Sequence, residues 1–344
     1  MDLEKRRKAF LAKEVAQINF EEIKSFHELI DIFSKMSFQA RALGICAKIW
    51  EKMLLDSERP TIFLGLAGAL IAGGLRKLIA DMIKLNFVDV IVSTGAILYQ
   101  DLYQARGYKH YIGSPYVDDS ELFSLNIDRI YDTFVDEEKF IETDLYISEF
   151  ANSLEPRAYS SREFLELLAG KIKDENSILY NSKKYGVPIY CPCIADSSIG
   201  IGLAHYFKEK KEKEEDAIKI DPIKDNYEIA NLVAKSKKTG AIYLGGGVPK
   251  NYINDAVVIA DLLYGSRKGH EYAIQLTMDR PEHGGLSGST LEEAKSWGKL
   301  ARDVKKATAY VDITIGLPLI FAYLYERREL YKHRKRLKFN FSNL

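Results

Sequence analysis

Cysteine is scarce in this chain of 344 residues: Cys46, Cys191 and Cys193 are its three thiols. Three cannot build a disulfide framework, and Cys191-Pro-Cys193 is not a zinc spacing. A reducing, cytoplasmic compartment is the expectation. The six histidines show no H-E-x-x-H or other metal spacing, so no metal site is expected. A G-x-S-x-G elbow is missing, which disfavours a serine hydrolase. Neither a G-x-G-x-x-G fingerprint nor a Walker A loop is present. Charge of one sign is not in excess either. Lys and Arg number 49, Asp and Glu 49, so the net charge is zero and there is no basic field of the kind that nucleic-acid binding needs. Long apolar runs are also lacking. The longest, Ile62 to Leu75, is closed by Arg76 and Lys77 and falls short of the roughly 20 residues that cross a membrane. It reads as a buried strand running into a buried helix. Met1 to Lys8 is charged, with no signal-peptide core behind it.

What is present describes a globular protein with an ample core: 47% of the residues are hydrophobic and 28% charged. Residues 2–57 contain no glycine apart from Gly44 and carry apolar residues at helical spacing: Ile23, Phe26, Leu29, Ile30, Ile32 and Phe33, then Ile45, Ile49, Met53 and Leu54. The spacing predicts an N-terminal helical region over 1–57, ahead of an α/β domain over 58–344. From Thr61 the texture is strand, glycine turn, helix, repeated. Thr61 to Leu66 is predicted as a strand, Ala67-Gly68-Ala69 as its turn, and Ala72 to Leu85 as a helix; Val88 to Ser93, Pro188 to Ala195, Ala241 to Leu244, Tyr272 to Thr277 and Ala307 to Asp312 are further strands. Continuous apolar strands of this kind belong to parallel sheets covered on both faces, and their alternation with helices predicts a doubly wound, Rossmann-like fold. Lys208 to Glu215 reads as a solvated excursion, and the basic tail Arg327 to Lys338 as a charged final helix or a contact for a polyanion. No internal repeat is evident.

In such sheets ligands bind beyond the carboxyl ends of the strands. Four predicted strand ends carry suitable residues. Thr94 and Gly95 offer a hydroxyl and a close backbone approach, and Asp196 a carboxylate for ribose hydroxyls. Gly245-Gly246-Gly247 brings backbone amides to a helix start, where a phosphate is favoured, and Asp312 adds a second carboxylate. Each of these alone is equally an ordinary turn; their succession points to a nucleotide or dinucleotide crevice. A second feature is the Gly/Ser loop from Gly284 that leads into Glu293-Ala294-Lys295-Ser296-Trp297-Gly298-Lys299, read as a helix. Glu293 and Trp297 are four apart and would share a helical face. A lysine against an indole wall is disfavoured as an ammonium, and a neutral lysine amine forms imines with carbonyl carbons. On the residues alone, Lys299 is either such a nucleophile or a solvated surface lysine.

These segments resemble the deoxyhypusine synthase family. The likeness is carried by Ile62-Phe63-Leu64-Gly65, Val88 to Gly95, Ile127-Asp128-Arg129-Ile130, Leu244 to Val248 and Glu293 to Lys299, and spans roughly Phe38 to Leu324. The resemblance implies an NAD-dependent transferase that oxidises a polyamine such as spermidine and holds its four-carbon unit as an imine on a lysine. The unit then passes to an acceptor amine, either a lysine of a translation-factor protein or free putrescine, giving homospermidine. It implies Lys299 as the imine-forming lysine, Trp297 along the polyamine chain and Glu293 on one of its amines, with Ser287 and Asn251 in the same pocket. Thr94, Gly95, Asp196, Gly246, Gly247 and Asp312 fall where family members contact NAD, and a homotetramer is implied.

The chain departs from the eukaryotic members at several amine-recognising positions. Ala67-Gly68-Ala69 stands for a Thr-Ser-Asn, Tyr99-Gln100 for a Glu pair, Asn251 for a His, and Ile201 and Leu286 for two Asp residues. Each lost carboxylate removes a charge-assisted contact worth about 1.5–3 kcal/mol. The resemblance is therefore to the deoxyhypusine-synthase-like branch. A non-catalytic, NAD-binding relative is the alternative reading.

Overall fold

The computed structural model describes residues 3–266 and 268–342. Six strands form one sheet: β1 (Thr61–Leu66), β2 (Val90–Ser93), β3 (Ile189–Tyr190), β4 (Thr239–Leu244), β5 (His270–Thr277) and β6 (Leu300–Tyr310), in the order β6-β5-β4-β1-β2-β3. Every pairing between them is parallel, so all the carboxyl ends lie along one edge. Side chains alternate between the two faces. Ile62, Leu64, Leu66, Ile91, Ile242 and Leu244 enter one core cluster; Phe63, Val90, Val92, Ala241 and Tyr243 enter the other. The first cluster is covered by helices α1 (Phe38–Leu55), α2 (Arg76–Lys84) and α4 (Ile313–Glu326), which contribute Trp50, Ile79 and Tyr323. The second is covered by α3 (Gly247–Tyr264), which contributes Ile253 and Ala256. The sheet is therefore doubly wound, as the alternating pattern predicts. Gly65 brings α3 close to β1, since a Cβ there would sit 3.2 Å from Ile253 Cδ1.

Several boundaries differ from the sequence expectation, each for a local reason. The helix predicted from Ala72 begins at Arg76, because the chain first turns through Gly73 and Gly74, the latter at φ +84°. The strand predicted over 188–195 pairs only at Ile189–Tyr190; the Cys191 amide is taken by Ser161 Oγ at 2.8 Å, and Pro192 offers no donor. The last strand starts at Leu300, earlier than expected, and Asp312 lies past its end as the cap of α4. In the N-terminal stretch, Leu3–Phe10, Phe26–Phe33 and α1 are helical, while the chain between the first two is not. Lys208 to Glu212 is the exposed end of the helix Ser198–Glu212.

The basic tail is neither a final helix nor a free patch. Beyond α4 it makes a single 3₁₀ turn, Arg328–Tyr331, and then runs back along the body. Arg334 Nη2 lies 2.6 Å from Asp89 Oδ2, and Arg59 Nη2 lies 2.7 Å from Asp89 Oδ1. Burial pushes the Asp89 carboxyl up, but the two guanidiniums outweigh it and hold it below the usual carboxylate range. Arg336 donates to the carbonyls of Ile83 and Lys84. No helix among the described residues is long and apolar enough to cross a membrane.

Candidate active site

Glu293–Ser296 is one helical turn, and it ends because the sequence supplies a glycine at the right place. Gly298 sits at φ +70°, a conformation that costs glycine nothing. Its amide donates to Lys295 O at 3.0 Å and the Lys299 amide to Ala294 O at 3.1 Å. This double bond pattern closes a helix with glycine in the left-handed position. Lys299 is thus not a residue of the Trp297 helix. It is the first residue after the cap, immediately before β6, whose Leu300 pairs with His270 at the start of β5. The lysine therefore lies toward the amino ends of the strands, on the flank of the sheet against α3.

Lys299 shares a cavity of about 230 Å³ with Lys250, Asn251, Asn254, Leu286, Ser289, Thr290, Glu293, Ala294 and Trp297. Three residues expected with Lys299 are thus brought to it: Asn251, Glu293 and Trp297. The Lys299 side chain is 16% exposed, and its Nζ stands 5.4 Å from the Trp297 ring centroid. The indole itself is 67% exposed, so it walls one side only. Lys299 is not alone with that apolar wall: Nζ lies 3.0 Å from Asp255 Oδ1, and Asn251 Nδ2 donates to Asp255 Oδ2 at 2.8 Å.

Asp255 and Lys250 are the residues that the sequence reading missed. Lys250 is buried and donates to Gln275 Oε1 at 3.0 Å and to the Ser289 carbonyl. Burial pulls its amine down to about 8, against the opposing charges of Glu293 and Asp279. A signal did exist. Lys250, Asn251, Asn254 and Asp255 are spaced i, i+4 in two pairs, which makes one polar face on an otherwise apolar helix.

Ser287 faces elsewhere. Its hydroxyl accepts from the Gly247 amide at 3.0 Å, and its carbonyl accepts from Gln275 Nε2 at 2.7 Å. Gly246 lies so close that a Cβ there would be 2.3 Å from Ser287 Cα. The glycine turn is therefore occupied by the chain's own loop, and the Gly247 amide is already engaged.

A second cavity, of about 450 Å³, opens on the carboxyl edge. It is lined by the turn after β1 (Ala67 to Gly73), Gly245, Asp132, Asp312 and neighbouring residues. Asp312 caps α4, with one carboxylate oxygen accepting from the Thr314 amide at 2.7 Å and from its hydroxyl. Thr94, Gly95 and Asp196 stand together along the same edge, at the ends of β2 and β3. Gly95 is packed against Ser197, whose Oγ would lie 2.2 Å from a Cβ on it. Of the substituted positions, Gln100 accepts from the Ala72 amide at 3.2 Å and braces the turn after β1, while Leu286 lines the Lys299 cavity.

Comparisons with known proteins decide the family. A family model for deoxyhypusine synthase matches residues 28–324. The chain belongs to the deoxyhypusine synthase family. It is 44% identical over 308 residues to "Probable deoxyhypusine synthase 2" of Methanosarcina acetivorans, covering 88% of each chain. It is 45% identical over 289 residues to the Archaeoglobus fulgidus protein of the same name, covering 83% of this chain and 94% of that one. "Deoxyhypusine synthase-like protein" of Chlorobaculum tepidum is 44% identical over 306 residues, covering 87% and 86%. Among solved structures, an Entamoeba histolytica protein assigned as a deoxyhypusine synthase superposes with a TM-score of 0.63 at 18% identity, over 94% of this chain and 99% of that one. At that identity the likeness speaks for the fold. Members of the family are transferases, so the chain is an enzyme of that class, and the family as a whole is NAD-dependent.

Proposed function

We propose that this protein is an NAD-dependent aminobutyl transferase in which Lys299 carries the four-carbon unit as an imine and a free diamine accepts it. The observation that carries the reading is the cavity itself: one lysine Nζ, an indole within 5.4 Å and the Glu293 carboxylate lining the same small volume. The indole supports contact with a polymethylene chain and its charged ends. Glu293 makes no ion pair among the described residues, which leaves it for a substrate ammonium. Leu286 puts an apolar side chain in the cavity where the eukaryotic members carry an acid, so the pocket differs from one that serves a protein lysine, and this supports a small free amine as acceptor.

The crevice on the carboxyl edge suits NAD by its own chemistry. Gly245 and Gly68 adopt positive φ and present bare backbone, and Asp312 keeps an oxygen beyond those used in its cap. In this reading Asp312, Thr94, Gly95 and Asp196 hold the cofactor, while Gly246 and Gly247, expected there from the sequence, hold the loop at Ser287 instead. Held in the crevice, NAD would supply the hydride chemistry of the reaction, oxidation at the donor's amine-bearing carbon and reduction of the product. The chain's part is to hold the amine-bearing carbon, to exclude water so that the imine survives, and to supply Lys299 as nucleophile. A cytoplasmic homotetramer belongs to the same reading; exposed apolar side chains away from the cavity, among them Ile112 at 100% and Tyr116 at 92%, support contact between copies, and sedimentation velocity reads the assembly directly.

The deciding experiment supplies NAD, spermidine and putrescine, with and without the translation-factor protein. The expected product is homospermidine, formed without that protein. Label appearing on the protein instead would move the acceptor to a lysine side chain. Borohydride added during turnover should fix a mass increase on Lys299; no adduct with any polyamine, with NAD still bound, would overturn the enzyme reading.

A further inference from the structure

The pair between Lys299 and Asp255 has a chemical use that an ordinary surface ion pair lacks. Asp255 projects from α3 onto the nitrogen that is to become an imine, at 3.0 Å, and Asn251 fixes its other oxygen at 2.8 Å. The other charged groups facing the cavity are committed or differently placed. Lys250, also on α3, is engaged by Ser289 O and Gln275 Oε1, and Glu293 comes from the helical turn on the opposite wall. Asp255 is therefore the carboxylate in contact with the reacting nitrogen.

Resting on the function proposed above, we infer that Asp255 is the counter-ion of the Lys299 imine and so sets how readily the four-carbon unit is transferred. A neutral imine is a poor electrophile; protonation draws electrons toward nitrogen and exposes the carbon. A carboxylate at hydrogen-bond distance favours the protonated form. The transfer step then balances. The acceptor's amine attacks the imine carbon, a new C–N bond forms, and the C=N π electrons move onto Nζ. The proton given up by the incoming nitrogen is taken by Nζ; the lone pair of the incoming nitrogen then forms the new C=N bond as the C–Nζ bond breaks, and Lys299 leaves as a neutral amine. No electrons enter or leave, and one positive charge stays in the cavity throughout, opposite Asp255.

The test uses the full-length protein with trans-cinnamaldehyde, and needs neither NAD nor a polyamine. The aldehyde forms a conjugated imine whose protonated form absorbs at longer wavelength; borohydride reduction and peptide mass analysis confirm attachment to Lys299. The absorbance is followed against pH in the wild type and in Asp255→Asn, Asp255→Ser and Asp255→Glu, each with an unfolding curve to verify the fold. The expected result is a protonation midpoint lower by at least about one pH unit in the Asn and Ser variants, and largely restored in the Glu variant. Coincident midpoints in wild type and the folded Asn or Ser variant would overturn the counter-ion role while leaving Lys299 as the imine-forming residue. Failure of Lys299 to take the aldehyde in the wild type would instead overturn the reading on which the inference rests.

Discussion

The crevice on the carboxyl edge is lined in large part by small residues of the turn from Ala67 to Gly73 and Gly245, with the stretch from Ile130 to Thr133 beside them and Asp132 and Asp312 as its acids. The Lys299 cavity is walled by side chains, among them two lysines, a glutamate and an indole. Between the two runs one loop, in which Ser287 caps the glycine turn while Leu286 and Ser289 line the cavity. A crevice whose turns depend on Gly68 and Gly245 at positive φ is sensitive to substitution at those glycines through the backbone. A cavity made of side chains is remade by each substitution.

The sharpest way to break the comparison is to remove the lysine. Lys299→Ala should lower transfer by about 10³-fold or more while NAD titration and the thermal unfolding curve stay close to wild type. If NAD binding fell as far, Lys299 would be a contact of the cofactor as well as the imine-forming residue. The next effect concerns the loop anchor. Lys250 is held near 8 by burial, below its ordinary value of 10.5. Below pH 8 both folded and unfolded chains hold its proton; between 8 and 10.5 the unfolded chain holds more. Stability contributed by this group therefore rises with pH across that window, by up to about 3 kcal/mol. Urea unfolding at several pH values should show this rise in the wild type and lose it in Lys250→Met. Asp312→Asn keeps the cap acceptor and drops the charge. It should weaken NAD about tenfold and leave the aldehyde adduct at Lys299 untouched, as isothermal titration and peptide mapping would report. The smallest effect is expected at Gly298→Ala, which strains a left-handed position and should cost about 1 kcal/mol in unfolding free energy. A larger fall in transfer than that stability loss explains would mark Lys299 as displaced.

Much of the fold was legible because it rests on local chemistry. The apolar runs at Thr61–Leu66 and Thr239–Leu244 are buried on both faces and read as strands wherever they occur. The glycine turn after β4 is equally visible. What escaped depends on contacts far apart in sequence. Nothing near Arg334 announces Asp89, 245 residues earlier. Ser287 looks like a substrate contact until the Gly247 amide is found on its hydroxyl. Asp255 was hidden for a different reason, as an acid two turns into an apolar helix whose importance depends on where Lys299 ends up. That location in turn follows from the left-handed cap at Gly298, which converts an expected helical lysine into the first residue of an extended segment.

The returning tail also links folding to biosynthesis. Asp89 is enclosed next to β2, yet one of its two cationic partners is synthesised 245 residues later. Until Arg334 emerges, the nascent sheet carries a carboxylate that Arg59 alone must neutralise, so part of the protein's stability is withheld until the returning tail has been made.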